Sequence, residues 1–243
     1  SYLAGREDTM KEAQEAVLSL VHGFPTRSVV YYGLRGVGKT VLLNKIEEIV
    51  EENEVLYEHI EVSERSSFKM AISLHIQKLI KQLSIKEQAK GIVQKAWAVL
   101  KAFKITYSPE GEVGIGIDGD IVAAAGVSDT GNFQNDLTEL FMAMGNLAQK
   151  NERAVCIFID EIQYLKDDEF EALIAAIHRL NQRGLPVALF AAGLPKIAKI
   201  AGDVKSYAER LFSFISIDSL DQDAALLALV EPARKLGVAY TEE

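Results

Sequence analysis

Eight consecutive residues, Gly33-Leu34-Arg35-Gly36-Val37-Gly38-Lys39-Thr40, hold three glycines, two cations and a hydroxyl. They follow a β-branched run, Ser28-Val29-Val30-Tyr31-Tyr32, and open a helical pattern over residues 40–52. Glycine in such a turn costs conformational entropy, so three of them need a reason. The spacing is G-x-x-x-x-G-K-[ST], placed after a strand and before a helix. Small residues there let main-chain N–H groups turn inward around phosphate oxygens, and the helix N-terminus adds favourable electrostatics. Lys39 would reach the outer phosphates of a nucleotide, and the Thr40 hydroxyl would ligate Mg²⁺. The alternative is a glycine-rich turn that merely caps a helix.

A second metal ligand is expected, and Cys156-Ile157-Phe158-Ile159-Asp160-Glu161 supplies it. Asp160 ends an apolar strand, where it can hold the Mg²⁺ hydration shell, and Glu161 is placed to polarise an attacking water. Taken alone, an apolar strand ending in Asp-Glu is often a strand meeting a solvated loop. About 120 residues after the glycine loop, it reads as that loop's partner.

Five short β-rich runs must carry these groups: residues 28–32, 55–62, 154–160, 187–192 and 213–217. Helical patterns over 40–52, 67–83, 86–103, 133–150 and 167–183 alternate with them. Such alternation implies crossover connections and a parallel sheet covered on both faces, in keeping with strands that are apolar at nearly every position. Residues 104–120, with Ser-Pro and Gly turn signals between alternating runs, predict a β-hairpin inserted between the second and third core strands. Residues up to 131 complete that insertion.

Composition removes several classes. At 243 residues with 49% apolar and 25% charged residues, the chain can bury a full core. A net charge of −9 gives no global attraction to nucleic acid or anionic lipid. No apolar run reaches the ~18 residues of a membrane span. The single cysteine, Cys156, excludes an intramolecular disulfide framework and fits a reducing compartment, with cytoplasm the default.

The combination resembles the AAA+ class of P-loop ATPases, in the branch of the origin-recognition-like and related signal-transduction ATPases. Four stretches carry the resemblance: Leu3–Ala13 with its Gly5-Arg6-Glu7 box, the glycine loop, Ile159–Leu165, and Tyr207–Leu220. It implies an α/β three-layer sandwich with a five-stranded, mainly parallel sheet over residues 1–217, and the start of a small helical lid over 218–243. It also implies ATP and Mg²⁺ as cofactors, held by residues 33–40 with Val41. Gly5 and Arg6 would lie near the adenine, with Tyr2 or Leu3 packing on the base; a helix-flanking salt bridge is the equal alternative for Arg6. Arg210 matches the arginine-finger position, which in that class projects into a neighbour's ATP; an ion pair with Glu209 is the equal alternative. Lys39, Glu161 and Arg210 would then be the catalytic set. The chain reads as a portion of a longer protein, so any DNA-binding or partner-binding region would lie outside it. A macromolecular partner and a homo-oligomer both remain open.

One departure stands out. AAA+ proteins usually end the fourth strand with a polar residue that helps orient the attacking water, whereas here the region reads Phe190-Ala191-Ala192-Gly193-Leu194-Pro195. Another group must substitute, or hydrolysis is slow, which keeps a nucleotide-dependent binding switch beside the ATPase reading. Gln163 is a weaker candidate for sensing nucleotide. His22, His59, His75 and His178 lack ligand spacing. Trp97 and its apolar neighbours read as a packing face, and Asp167, Asp168 and Glu169 as the start of a helix. A GTPase would need an Asn-Lys-x-Asp base reader; the nearest string, Asn44-Lys45-Ile46-Glu47, falls inside a helix. A two-lobed helicase would need a second lobe, and a transporter ATPase a Leu-Ser-Gly-Gly signature; both are absent.

Overall fold

The computed structural model describes residues 3–24, 26–85, 90–107, 129–197 and 211–238. Its elements are α1 (Glu7–Val21), β1 (Ser28–Tyr32), α2 (Lys39–Glu52), β2 (Leu56–Glu61), α3 (Phe68–Leu83), α4 (Lys90–Tyr107) and α5 (Phe133–Lys150). They continue with β3 (Val155–Asp160), a 3₁₀ turn (Ile162–Tyr164), α6 (Asp167–Gln182), β4 (Val187–Gly193), β5 (Phe212–Ser216) and α7 (Gln222–Lys235).

The five strands form one sheet in the order β2-β3-β4-β1-β5, with every pairing parallel. Alternate side chains explain why both faces need cover. On one face, Val155, Ile157 and Ile159 of β3 and Val187, Leu189 and Ala191 of β4 join a core with α3 to α6. On the other, Cys156, Phe158, Ala188 and Phe190 pack with Ala13 and Val17 of α1 and Leu43 and Ile46 of α2. All residues of β3 and β4 are buried, as a two-sided cover requires. The result is the three-layer α/β sandwich with a five-stranded parallel sheet.

The helix starts follow local chemistry. Ser67 caps α3, Asn132 caps α5 and Asp221 caps α7, each accepting a backbone N–H from the first turn. Glu169 accepts the Lys166 N–H at 3.1 Å, closing the first turn of α6 behind Asp167 and Asp168.

One expectation is corrected. Lys104 to Tyr107 do not open a hairpin strand; they continue α4 by another turn. Aromatic packing decides this: the Tyr107 ring meets Phe103 at 4.7 Å and Phe133 at 5.4 Å between centroids. The Tyr107 hydroxyl also donates to Asp136 Oδ2 at 2.6 Å, tying the end of α4 to the start of α5. The remainder of the expected hairpin, residues 108–128, lies outside the described residues, as do residues 86–89 of the expected helix.

Candidate functional site

Strand register brings the chemistry to one edge of the sheet. Tyr32 at the end of β1 pairs with Gly193 of β4 and with Ser216 of β5, while Asp160 ends β3 opposite Glu61. The carboxyl ends of a parallel sheet are where such folds leave an open crevice, because helices cover the faces and not the edge.

The three glycines of the loop answer to two different demands. Gly36 and Gly38 have φ of +82° and +90°, the left-handed region, with open space where a Cβ would point. They are required by backbone direction. Gly33 is required by proximity: a Cβ there would lie 2.1 Å from the carbonyl oxygen of Ile217, just past β5. Gly33 N–H also donates to the Gly193 carbonyl at 3.2 Å, so the loop leaves β1 still tied to β4. Gly38 stands at the N-cap of α2, and no side chain caps that helix. Its first-turn N–H groups are available to an anion.

Lys39 is only 8% exposed, folded back over its own loop. Its Nζ donates to Gly33 O at 3.0 Å and Leu34 O at 2.7 Å. An ammonium buried to that degree needs partners, and the loop carbonyls provide them. Next to it, the Thr40 hydroxyl donates to Asp160 Oδ2 at 2.6 Å, so residues 120 apart in sequence touch. Strand β4 lies between β3 and β1, the strand that leads into the loop, and ends in the small residues Ala192-Gly193.

Asp160 is 5% exposed. Its other carboxylate oxygen, Oδ1, accepts the Glu161 N–H at 2.8 Å. Glu161 itself sits at φ 55°, ψ 36°, left-handed for a residue that has a Cβ. That conformation turns the chain sharply off β3, and the Glu161 carboxylate then accepts a hydrogen bond from Gln163 Nε2.

A cleft of about 430 Å³ opens beside the loop. Leu3, Arg6, Val37 and Val41 line it together with Leu220 and Ala228 from the α7 region. Arg6 stitches its walls: its guanidinium donates to the carbonyls of Val37, at 3.5 Å, and Asp218. Gly5, at φ +65°, lies so near α7 that a Cβ would come within 2.9 Å of Ala224 Cβ. Arg35 extends from the loop and donates to the Tyr164 hydroxyl at 3.2 Å.

The expected site residues among the described ones thus gather at the loop after β1, some lining the cleft and others joined to the loop by hydrogen bonds. Leu3, Arg6, Gly36, Gly38, Val37 and Val41 line the cleft, while Asp160 is joined to the other side of the loop through Thr40 and Glu161 follows it in the chain. Tyr2 and Arg210 lie outside the described residues. Sequence reasoning missed the Arg6 bridge to Asp218 and the Arg35–Tyr164 bond. It gave Gln163 little weight, because a glutamine two places after an acid has no motif to mark it.

The donor set suits a hard cation. One hydroxyl and one carboxylate offer oxygen ligands only, which matches an Mg²⁺ that keeps waters and takes its other ligands from phosphate. No cluster of three or more His, Cys, Asp or Glu side chains that could cage a metal occurs among the described residues. No helix among them is long and apolar enough to cross a membrane.

Comparisons with known proteins bear on the family and the fold. No protein of curated function matches the chain. Among solved structures, Cdc6p from Pyrobaculum aerophilum superposes with a TM-score of 0.58 at 14% identity, over 97% of this chain and 51% of that one. The Aeropyrum pernix ORC1 protein, solved in complex with DNA, gives 0.52 at 15% identity, over 97% and 50%. AMPPCP-bound DnaA from Aquifex aeolicus gives 0.51 at 13% identity, over 98% and 54%. The chain thus spans about half the length of these proteins, and at such identities they share its fold. The family model described as "AAA ATPase domain" matches residues 2–190, from before Arg6 through Asp160 and Glu161 to β4, and the chain belongs to that family.

Proposed function

We propose that the chain binds ATP with Mg²⁺ in this crevice and hydrolyses it, using the cycle to drive or switch contact with a macromolecular partner. The observation that carries the reading is the 2.6 Å contact between Thr40 and Asp160, beside a lysine-bearing glycine loop. Those are the two oxygen ligands an ATP-bound Mg²⁺ would share, and they stand within hydrogen-bond distance of each other.

The chain's own groups divide the work. Main-chain N–H groups of residues 33–40 and the start of α2 hold the phosphates, and Lys39 exchanges its loop carbonyls for phosphate oxygens. Thr40 and Asp160 hold Mg²⁺, which when bound neutralises charge on the outer phosphates. Glu161 takes a proton from the attacking water. Leu3, Gly5 and Arg6 shape the base end, and the contact of Gly5 with α7 supports reading residues 218–243 as the start of a lid. Arg210 is assigned as the finger toward a neighbour's ATP, which implies a homo-oligomer. The ORC1 neighbour's DNA motivates asking whether a region beyond residues 1–243 brings DNA to this domain.

A second reading, a nucleotide-dependent binding switch with little turnover, is favoured by the bare end of β4 at Gly193. Single-turnover hydrolysis at saturating ATP-Mg²⁺ separates the two. Product at the rate of an active ATPase supports hydrolysis, and tight binding with negligible product supports the switch. Lys39→Ala serves as the binding control. Losing charged hydrogen bonds to phosphate should weaken ATP at least about 100-fold, and retained affinity would remove the assigned role.

A further inference from the structure

The end of β4 has no polar side chain, yet the space beside it is occupied by one. A Cβ on Gly193 would lie 2.9 Å from Gln163 Oε1 and 2.9 Å from Ile162 Cγ2. Gly193 is therefore glycine because the Gln163 carboxamide takes the room that a strand-four side chain would use. Gln163 is 3% exposed, and its carboxamide has defined partners on both sides. Its Oε1 accepts the Leu194 N–H at 2.9 Å, and its Nε2 donates to Glu161 Oε2. An N–H can meet only the oxygen end and a carboxylate only the NH₂ end, so the two contacts together define which way the amide faces.

We infer that Gln163 is the positioning residue for Glu161 and replaces, from the β3 side, the polar group that β4 lacks. The inference rests on the proposed hydrolysis. Glu161 leaves β3 in a left-handed conformation and has its own side-chain rotamers to restrict. One hydrogen bond from Gln163 holds one of its oxygens, which leaves the other to accept the proton of water. Because Gln163 is in turn fastened to Leu194, the base is referenced to the end of β4 as well as to β3.

The test uses the full chain and Gln163→Ala, with Gln163→Met as a second variant that keeps length and volume while removing the amide. ATP-Mg²⁺ affinity, KM and kcat are measured for each, with thermal unfolding as the check on folding. The expected result is a kcat lowered about 10- to 100-fold, with affinity and KM within about twofold of wild type. In a Glu161→Gln background, removing the Gln163 amide should cause no further loss, since a positioning residue acts through the group it positions. Unchanged kcat in folded Gln163→Ala or Gln163→Met overturns the inference. So does a loss that multiplies with Glu161→Gln, or a loss of ATP affinity in step with kcat. A wild-type chain that fails to bind ATP, or binds it with no turnover, overturns the proposed hydrolysis itself, and this role with it.

Discussion

The Thr40 hydroxyl donates to Asp160 Oδ2 at 2.6 Å, joining the first turn of α2 to the end of β3. Asp160 ends β3, and Thr40 follows β1, which β4 separates from β3, so the contact depends on the sheet being in register. Asp160→Asn keeps the shape but removes the charge that suits a divalent cation. It should lower ATP affinity about 10-fold or more in the presence of Mg²⁺ and change it little with EDTA. Fluorescent-nucleotide titrations with and without metal check this, and equal losses in both would deny Asp160 a metal role.

Glu161→Gln should separate binding from turnover. The amide preserves the size of the side chain and its bond to Gln163 while removing the base. ATP affinity should stay within a few-fold, and kcat should fall about 10²- to 10⁴-fold. Bound nucleotide recovered by rapid filtration should be ATP, not ADP. Wild-type turnover would mean that another group takes the proton.

The loop glycines should differ in what they tolerate. At Gly36 an alanine meets open space and suffers only the left-handed backbone penalty, about 1–2 kcal/mol. At Gly33 the new Cβ would overlap the main-chain oxygen of Ile217, which cannot rotate away. Gly33→Ala should therefore cost more than about 3 kcal/mol, enough to detach β5 from β1 or to prevent folding. Urea unfolding of the two variants ranks them; equal midpoints would contradict the close approach.

On the edge strand β2, Glu58 receives hydrogen bonds from His75 Nδ1 at 2.7 Å and Lys78 Nζ at 3.1 Å. Burial pushes its carboxyl up, but the hydrogen bonds from His75 and Lys78 outweigh burial and leave it below the usual glutamate value. A carboxyl depressed in the fold stabilises above its unfolded pKa, about 4.3, and loses that contribution as pH falls through its folded value. Wild type should thus melt higher than Glu58→Gln at pH 6, with the two melting curves converging toward pH 3. A gap that persisted at pH 3 would show that charge is not the cause.

Much of this was legible in the chain itself, because its signals are local. Strand β1 and helix α5 begin and end at the residues their patterns predict, since a two-sided sheet makes every strand position apolar and a helix face repeats at 3.6 residues. The Gly33–Thr40 spacing encodes its own loop, and Asp160-Glu161 announces an acidic strand end. Less legible were outcomes set by distant partners. Tyr107 stays helical because Asp136 and Phe133 await it across a connection, and no pattern in residues 104–107 contains that information. Gly33 is needed for the nearness of Ile217, and Arg6 bridges Val37 to Asp218, contacts that exist only once β1, β5 and α7 are assembled. Gln163 is the sharpest case. As a residue type it is unremarkable, and only the parallel register that sets Gly193 beside the 3₁₀ turn makes its amide the occupant of that corner. Local propensity and motif determined which groups this protein possesses. Which of them touch was decided by the tertiary fold, since contact across the sheet depends on the packing of residues far apart in the chain.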